Sequence, residues 1–243
     1  MATVLILGAT SDMGVAIAKK FASEKFDVLL AARKPDQLKP LESDIRIRYG
    51  ANCSSLAFDA LQYESHAGFF NSLHPKPDTS IVVFGILDDE DQAFDNWNLT
   101  ERMINTNYTG AVSILNVIAK YYIAQKKGTI IGISSVAGDR GRASKLIYAS
   151  AKAAFTTYLS GLRNKCFKDQ VHVMTVQPGF VYTKMTENQP LPKPITSTPV
   201  QVADIIYKAY LKKKNIIYVK WFWRYIMLFI QCIPEFLFKK MKL

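Results

Sequence analysis

Tyr148 and Lys152 stand four residues apart in the run "YASAK". The surrounding apolar pattern is helical, so this spacing sets a phenol and an ammonium on one helical face. A free tyrosine titrates near ~10 and is a poor acid or base at neutral pH, but a neighbouring cation stabilises the phenolate and lowers that value. Proton transfer to or from an oxygen is the chemistry such a pair can do. The same spacing is common by chance, and an edge-packed tyrosine beside a solvated lysine is the plainer alternative. Ser135 weighs against it. The stretch "GTIIGISSVAG" places Ser135 just beyond a buried strand, at the carboxyl edge where open α/β sheets bind ligands. A hydroxyl there can donate a hydrogen bond to a carbonyl.

A second constellation opens the chain. In "ILGATSDMGVAIA", Ile6 to Ala18, a short apolar strand turns on Gly8 and reaches Gly14 as the pattern becomes helical. Gly8 permits a sharp turn, Gly14 permits close packing of helix on strand, and the free N–H groups at the helix start form an anion site. Alone the loop is as compatible with a packing turn as with a nucleotide site. Asp12 occupies the position where such loops usually carry a middle glycine. An aspartate in a helix's first turn can cap free N–H groups and favour the dipole. Asp12 is therefore expected to serve the helix and to point away from a bound pyrophosphate, leaving the backbone of Thr10, Ser11 and Met13 for the phosphates.

These residues need a scaffold, and hydrophobic periodicity supplies one. Apolar runs at Val4–Leu7, Asp27–Ala31, Ser54–Ala57, Ser80–Phe84, Gly128–Ser134, Val171–Val176 and Asn215–Val219 read as seven buried strands. Helical patterns lie between them at Val15–Ser23, Gln37–Tyr49, Glu64–Ser72, Leu99–Tyr122, Tyr148–Lys165 and Val200–Leu211. Alternation of strand and helix implies a single doubly wound, Rossmann-like α/β domain: a seven-stranded parallel sheet with helices on both faces. Residues 1–215 are expected to form the catalytic domain, and residues 216–243 the last strand and a tail. Lys184–Pro199 holds four prolines and reads either as a ligand lid or as a solvated connection.

Of the net charge of +11, the segment Lys208 to Leu243 carries +8, from nine Lys and Arg against Glu235, which leaves only +3 for the preceding residues. A basic tail on a nearly neutral domain does not suit nucleic-acid binding, and no recognition motif supports it. Cys53, Cys166 and Cys232 are scattered, so neither a disulfide framework nor a metal site is expected. The first apolar run is too short for a signal peptide. A reducing, cytoplasmic location is expected.

With these motifs in hand, the chain resembles the short-chain dehydrogenase/reductase family from residue 2 to about 220. The family's glycine fingerprint corresponds to "GATSDMG", its adenine-side acid to Asp59 in "AFDA", and its active-site asparagine to Asn107 in "NYTG". Its serine matches Ser135, its Tyr-x-x-x-Lys pair Tyr148 and Lys152, and its proline-glycine motif Pro178 to Thr183, "PGFVYT". The resemblance implies an NAD(P)-dependent oxidoreductase interconverting a ketone and a secondary alcohol. It implies that Tyr148 moves the alcohol proton, Lys152 binds the nicotinamide ribose and lowers the tyrosine pKa, Ser135 orients the carbonyl, and Asn107 holds a relay water. Gly8, Thr10, Ser11, Met13, Gly14, Asp59, Gly85, Pro178, Gly179, Val181 and Thr183 then surround the cofactor. The fourth-strand motif departs from the family pattern as "VVFG", Val82 to Gly85, and a contact there is missing or replaced by backbone.

Cofactor choice is read at "VLLAARKP". Ala32 stands where an acid would bind the ribose hydroxyls of NAD, and Arg33 follows. A guanidinium suits the extra phosphate of NADP, so NADP(H) is expected over NAD(H), with a solvated basic turn as the alternative.

The tail "IIYVKWFWRYIMLFIQCIPEFLFKKMKL" has its longest uncharged run, Tyr225 to Pro234, at half the length of a spanning helix. Trp221, Trp223 and Tyr225 beside Lys220 and Arg224, with Lys239, Lys240 and Lys242 at the end, suit peripheral contact with the inner face of a membrane. Packing on the domain or in a subunit interface is the alternative. "GATSD", "FG" and the late "PE" resemble a subgroup of the family that reduces the 2-keto sugar of decaprenyl-phosphoryl pentose. A polyprenyl-phosphate-linked ketone is thereby implied as substrate, with another hydrophobic ketone or lipid as alternative, and an idle NADP-binding regulatory protein as the alternative of another class. The resemblance also implies a homodimer or homotetramer.

Overall fold

The computed structural model describes residues 1–187 and 190–241. Strand β1 (Thr3–Leu7) is buried at every residue because helices cover both of its faces. Val4 and Ile6 point into one apolar core with Ile17 and Phe21, while Leu5 and Leu7 point into the other with Ile114 and Leu115. This period-two division holds across the sheet, which explains why the strands read as continuous apolar runs.

The remaining strands are β2 (Asp27–Ala32), β3 (Cys53–Ala57), β4 (Thr79–Val82), β5 (Thr129–Ile133), β6 (His172–Pro178) and β7 (Ile216–Val219). They form one parallel seven-stranded sheet in the order β3-β2-β1-β4-β5-β6-β7. The expected doubly wound architecture is present, and the order reverses between β1 and β4. That is where such sheets open a crevice at their carboxyl edge. Helices α1 (Asp12–Ser23), α2 (Lys39–Tyr49) and α8 (Pro199–Leu211) contribute to one core, and α3 (Ser65–Ser72), α6 (Gly110–Gln125) and α7 (Leu146–Cys166) to the other.

Three elements differ from expectation. Residues 90–95 form a short helix, α4 (Glu90–Asp95), capped by Asp89. The single helix expected over Leu99–Tyr122 is instead α5 (Trp97–Ile104), a π-helical turn at Asn105–Thr109, and α6. Beyond β7 the chain adds α9 (Trp223–Cys232) and α10 (Glu235–Phe238); Lys242 and Leu243, counted in the tail, lie outside the described residues.

Helix α9 lies against the domain. Trp223 and Met227 are buried, one turn apart, against Val136 and Phe180. Arg140 fastens the helix end: Nη1 donates to the carbonyls of Ile230, Gln231 and Ile233, Nη2 pairs with Glu235 at 3.0 Å, and the guanidinium lies 3.6 Å over the Phe238 ring. A cation placed on those carbonyls satisfies groups the helix cannot satisfy itself. The opposite face remains apolar yet exposed, with Trp221, Tyr225, Leu228 and Phe229 all more than half accessible. Among the described residues no helix is long and apolar enough to cross a membrane.

Candidate active site

Gly8 leaves β1 with φ +100°, a conformation open to glycine, and a Cβ there would stand 2.6 Å from the Phe84 nitrogen. The β1 and β4 exits are therefore in contact at the crevice. Ser11, not Asp12, caps α1: its Oγ accepts from the Gly14 N–H at 3.0 Å. Helix geometry leaves the N–H groups of Asp12 and Met13 without intrahelical partners, which makes this end an anion-binding cradle. The Asp12 carboxylate instead accepts from the Lys184 N–H at 2.7 Å, tying α1 to the segment after β6. An adjacent serine took the capping role because its short hydroxyl reaches back to the helix, which frees the acid to bond across the crevice.

Two cavities open at this edge. The first, about 390 Å³, is lined by Gly8, Thr10, Ser11, Met13, Arg33, Asp59, Gly85 and Thr183 among others. The second, about 380 Å³, is lined by Ser135, Tyr148, Pro178, Gly179 and Val181, and shares Met13 and Thr183 with the first. The residues expected around a cofactor are thus divided between two adjoining spaces, except Gly14, which packs against Gly8 and Ser11, and Lys152, which is buried and lines neither. Asp59 holds the Leu61 N–H at 3.0 Å, Val181 bridges to Ser197, and the Thr183 N–H donates to Thr186. The segment expected as either lid or solvated connection is anchored at both ends by these bonds and by α9; its residues Asn188 and Gln189 lie outside the described ones.

The backbone beneath the cavities is fixed by Asn107, which is buried in the π turn. Its Nδ2 donates to the Ile86 carbonyl at 2.8 Å and the Met103 carbonyl at 2.9 Å, and its Oδ1 accepts from the Ile86 N–H at 3.2 Å. One amide hydrogen and the amide oxygen hold Ile86, directly after "VVFG", and the other hydrogen holds the Met103 carbonyl of α5, so the segment after β4 is tied to that helix. A Cβ on Gly85 would lie 2.7 Å from Asn107 Oδ1 and 3.3 Å from Lys152 Nζ, so glycine lets the two side chains converge.

Tyr148 and Lys152 share one face of α7, with the Lys152 ammonium 5.7 Å from the phenol ring centroid. Lys152 Nζ donates to the Ile133 carbonyl at 3.2 Å. Burial dominates both groups, pushing Tyr148 up to about 12 and Lys152 down to about 8. Interaction with the Ser135 hydroxyl favours the phenolate, but more weakly than burial opposes it. The lowered tyrosine expected from a neighbouring ammonium is not present, because the dry surroundings disfavour the charged form of each group. Ser135 itself accepts from the Ala137 N–H at 3.1 Å, which orients its oxygen at the end of β5.

Glu90 was not foreseen. Helix α7 has no side-chain cap of its own, and the two Glu90 carboxylate oxygens accept from the N–H groups of Ile147 at 2.9 Å and Tyr148 at 3.1 Å. An acid from α4 therefore seats the first turn that carries Tyr148. Arg142 and Trp223 were also missed as parts of this site.

Lys152 carries a stability consequence. Its folded pKa, about 8, lies below the ordinary 10.5, so between these values the unfolded chain binds the proton more tightly. The cost of burying the ammonium is fully present below pH 8 and is relieved as pH rises to about 10.5. Lys152→Met is expected to raise the unfolding temperature of the ligand-free protein at pH 7, with the gap to wild type narrowing across that window. Thermal unfolding from pH 7 to 10.5 measures it; a variant less stable than wild type at pH 7 contradicts the reading.

The family model for short chain dehydrogenases matches residues 2–193. The chain belongs to that family. It is therefore an oxidoreductase of the dehydrogenase/reductase class. An uncharacterized oxidoreductase of Mycobacterium tuberculosis is 30% identical over 243 residues, covering 99% of this chain and 97% of the relative. An NADP-dependent 3-hydroxy acid dehydrogenase of Schizosaccharomyces pombe is 26% identical, covering 88% of this chain and 89% of its own. Among solved structures, a short-chain dehydrogenase from Sphingobium yanoikuyae in complex with NADPH superposes with a TM-score of 0.84 at 20% identity, covering 97% of each chain. That likeness supports the fold.

Among the described residues no group of three or more His, Cys, Asp or Glu is arranged to hold a metal ion.

Proposed function

We propose that this short-chain dehydrogenase interconverts a ketone and a secondary alcohol with NADP(H). The observation that carries the reading is the convergence of Ser135 and Tyr148 on one cavity wall, with Lys152 buried beneath and a glycine-turned anion cradle next door. The cradle suits a dinucleotide: the α1 N-terminus takes the pyrophosphate, Asp59 the adenine side, and Gly85, Val181 and Thr183 the nicotinamide side. When bound, the nicotinamide supplies or accepts the hydride.

The chain's own residues manage the oxygen. In reduction, the Ser135 hydroxyl donates a hydrogen bond to the carbonyl oxygen and fixes its position. The Tyr148 hydroxyl gives that oxygen its proton as negative charge develops there. The Lys152 ammonium stabilises the phenolate left behind, and Asn107 keeps the backbone around both from shifting. In oxidation the proton returns by the same route.

Arg33 decides the form of the cofactor. Its exposed side chain lines the first cavity beside Ala32, where an acid would repel a phosphate. Arg33→Ala is expected to raise KM for NADPH roughly 10- to 100-fold, the worth of charge-assisted bonds to one phosphate, and to leave the NADH value nearly unchanged. Steady-state kinetics with both cofactors test this; equal effects on the two would show that Arg33 does not read the phosphate.

For the substrate, the reading is a ketone carried on a hydrophobic or polyprenyl-phosphate group, supported by Phe180 and Leu191 in the second cavity wall and by the exposed aromatic face of α9 nearby. That face, with Lys220, Arg224, Lys239 and Lys240 in the same segment, suits contact with an anionic membrane surface, or a subunit interface in a homodimer or homotetramer. Oxidation of NADPH across a panel of ketones, with Tyr148→Phe as the control, tests the reading.

A further inference from the structure

Arg140 and Arg142 are two residues apart and are treated differently by the fold. Arg140 has the carbonyls of Ile230, Gln231 and Ile233, the Glu235 carboxylate and the Phe238 ring for partners. Arg142 lines the second cavity, its Nε is buried without a hydrogen-bond partner, and no ion pair or hydrogen bond to its guanidinium occurs among the described residues. A guanidinium cannot shed its charge at physiological pH, so leaving it half-buried and unpaired costs free energy that the fold alone does not recover. Burial also holds its pKa below the ordinary value.

The rest of the cavity has the complementary character. Lys145 adds a second cation, and no Asp or Glu lines this space among the described residues. Ser135 and Tyr148 open on the same space. A ligand whose carbonyl meets Ser135 and Tyr148 is therefore offered an unpaired planar fork of N–H donors elsewhere in the same cavity. Such a fork matches a carboxylate or phosphate, whose oxygens can take two parallel bonds.

We propose that Arg142 is the specificity residue of the substrate cavity, anchoring an oxyanion, carboxylate or phosphate, borne by the ketone substrate. The proposal rests on the reading of the cavity as the ketone site. It makes the substrate class an anionic ketone, with Lys145 reinforcing the field and Arg142 supplying the directional bonds.

The test uses the full chain and two readouts. In the first, phenylphosphonate, phenylacetate and benzyl alcohol are titrated calorimetrically into wild type, Arg142→Gln and Arg142→Lys. Wild type is expected to bind one or both anions and to bind benzyl alcohol more weakly; Arg142→Gln should lose roughly tenfold or more in anion affinity, with partial recovery in Arg142→Lys. The stronger of the two anions identifies whether the site is built for phosphate or for carboxylate. In the second, kcat/KM is compared for a keto acid and its methyl ester, and for a ketose phosphate and the free ketose. Wild type should favour the anionic member of at least one pair by roughly tenfold, and Arg142→Gln should bring that ratio close to one, the anionic member losing more than the neutral one. Absence of anion binding by wild type, an affinity unchanged in Arg142→Gln, or a ratio unchanged in that variant overturns the proposal. Should Arg142→Gln lose anion binding while Tyr148→Phe reduces ketones as fast as wild type, the anion site stands and the ketone chemistry falls.

Discussion

Tyr148→Phe is expected to lower kcat for ketone reduction by about 10²- to 10⁴-fold, the usual contribution of a positioned general acid. The substitution removes one oxygen whose interaction with the Ser135 hydroxyl is worth about one hydrogen bond, so stability should change by no more than about 1 kcal/mol. The geometry of the site argues for an effect on kcat more than on cofactor affinity. Tyr148 lines the second cavity, whereas Gly8 and Ser11 at the α1 N-terminus line the first. A direction in pH follows from the titration of the group. With its pKa pushed up to about 12, Tyr148 is protonated at pH 7 and ready to donate; oxidation of an alcohol needs the phenolate, which becomes commoner as pH rises. Oxidation by wild type should therefore gain rate with pH while reduction does not, and Tyr148→Phe should flatten the oxidation profile. Stopped-flow nicotinamide absorbance in both directions measures this. A variant with wild-type kcat would remove Tyr148 from the chemistry.

Much of this site could be read before any coordinates, for a physical reason that also sets the boundary. The five inner strands are buried on both faces, so their apolar runs are conspicuous, and Tyr148 with Lys152 obeys a local rule of helix geometry. What escaped reading depends on partners far along the chain. Glu90 caps the N–H of Ile147, 57 residues away, and its own helix is only six residues long and mostly polar. Asp12 meets the Lys184 N–H across 172 residues, and either Ser11 or Asp12 is a chemically good cap, so their division of labour needed the fold to decide it. The titration of Tyr148 is another case. Sequence places a cation beside it but carries no measure of how dry the pair becomes, and dryness controls the direction of both shifts. In the tail, Trp221 and Trp223 have the same chemistry and nearly the same neighbours; only the docking of α9 separates them, one 74% exposed and the other 6%.

That separation leads to the other large expected effect. Trp223→Ala should destabilise the protein by roughly 3–5 kcal/mol, the cost of truncating a buried tryptophan, and lower its unfolding temperature by about 6–20 °C. The indole sits directly on Gly179: a Cβ at that glycine would overlap the ring, so the docked tail requires glycine here. Its Nε1 donates to the Ile195 carbonyl at 3.2 Å, and Phe180 meets it edge-on with ring centroids 5.3 Å apart. Gly179 and Phe180 line the second cavity, so removing the indole loosens a cavity wall as well as the tail. KM for the ketone should rise, and KM for the cofactor should rise less. A triple substitution on the outer face, Trp221→Ser with Tyr225→Ser and Phe229→Ser, should leave the unfolding temperature within about 2 °C of wild type, because these side chains are already in contact with water. Calorimetry on the two variants contradicts this division of the tail if the outer-face protein unfolds early or the Trp223 variant does not. The same triple variant then identifies what the outer face meets. Loss of cosedimentation with anionic vesicles at unchanged molecular mass assigns it to a lipid surface, whereas a fall in molecular mass with vesicle binding intact assigns it to a second copy of the chain.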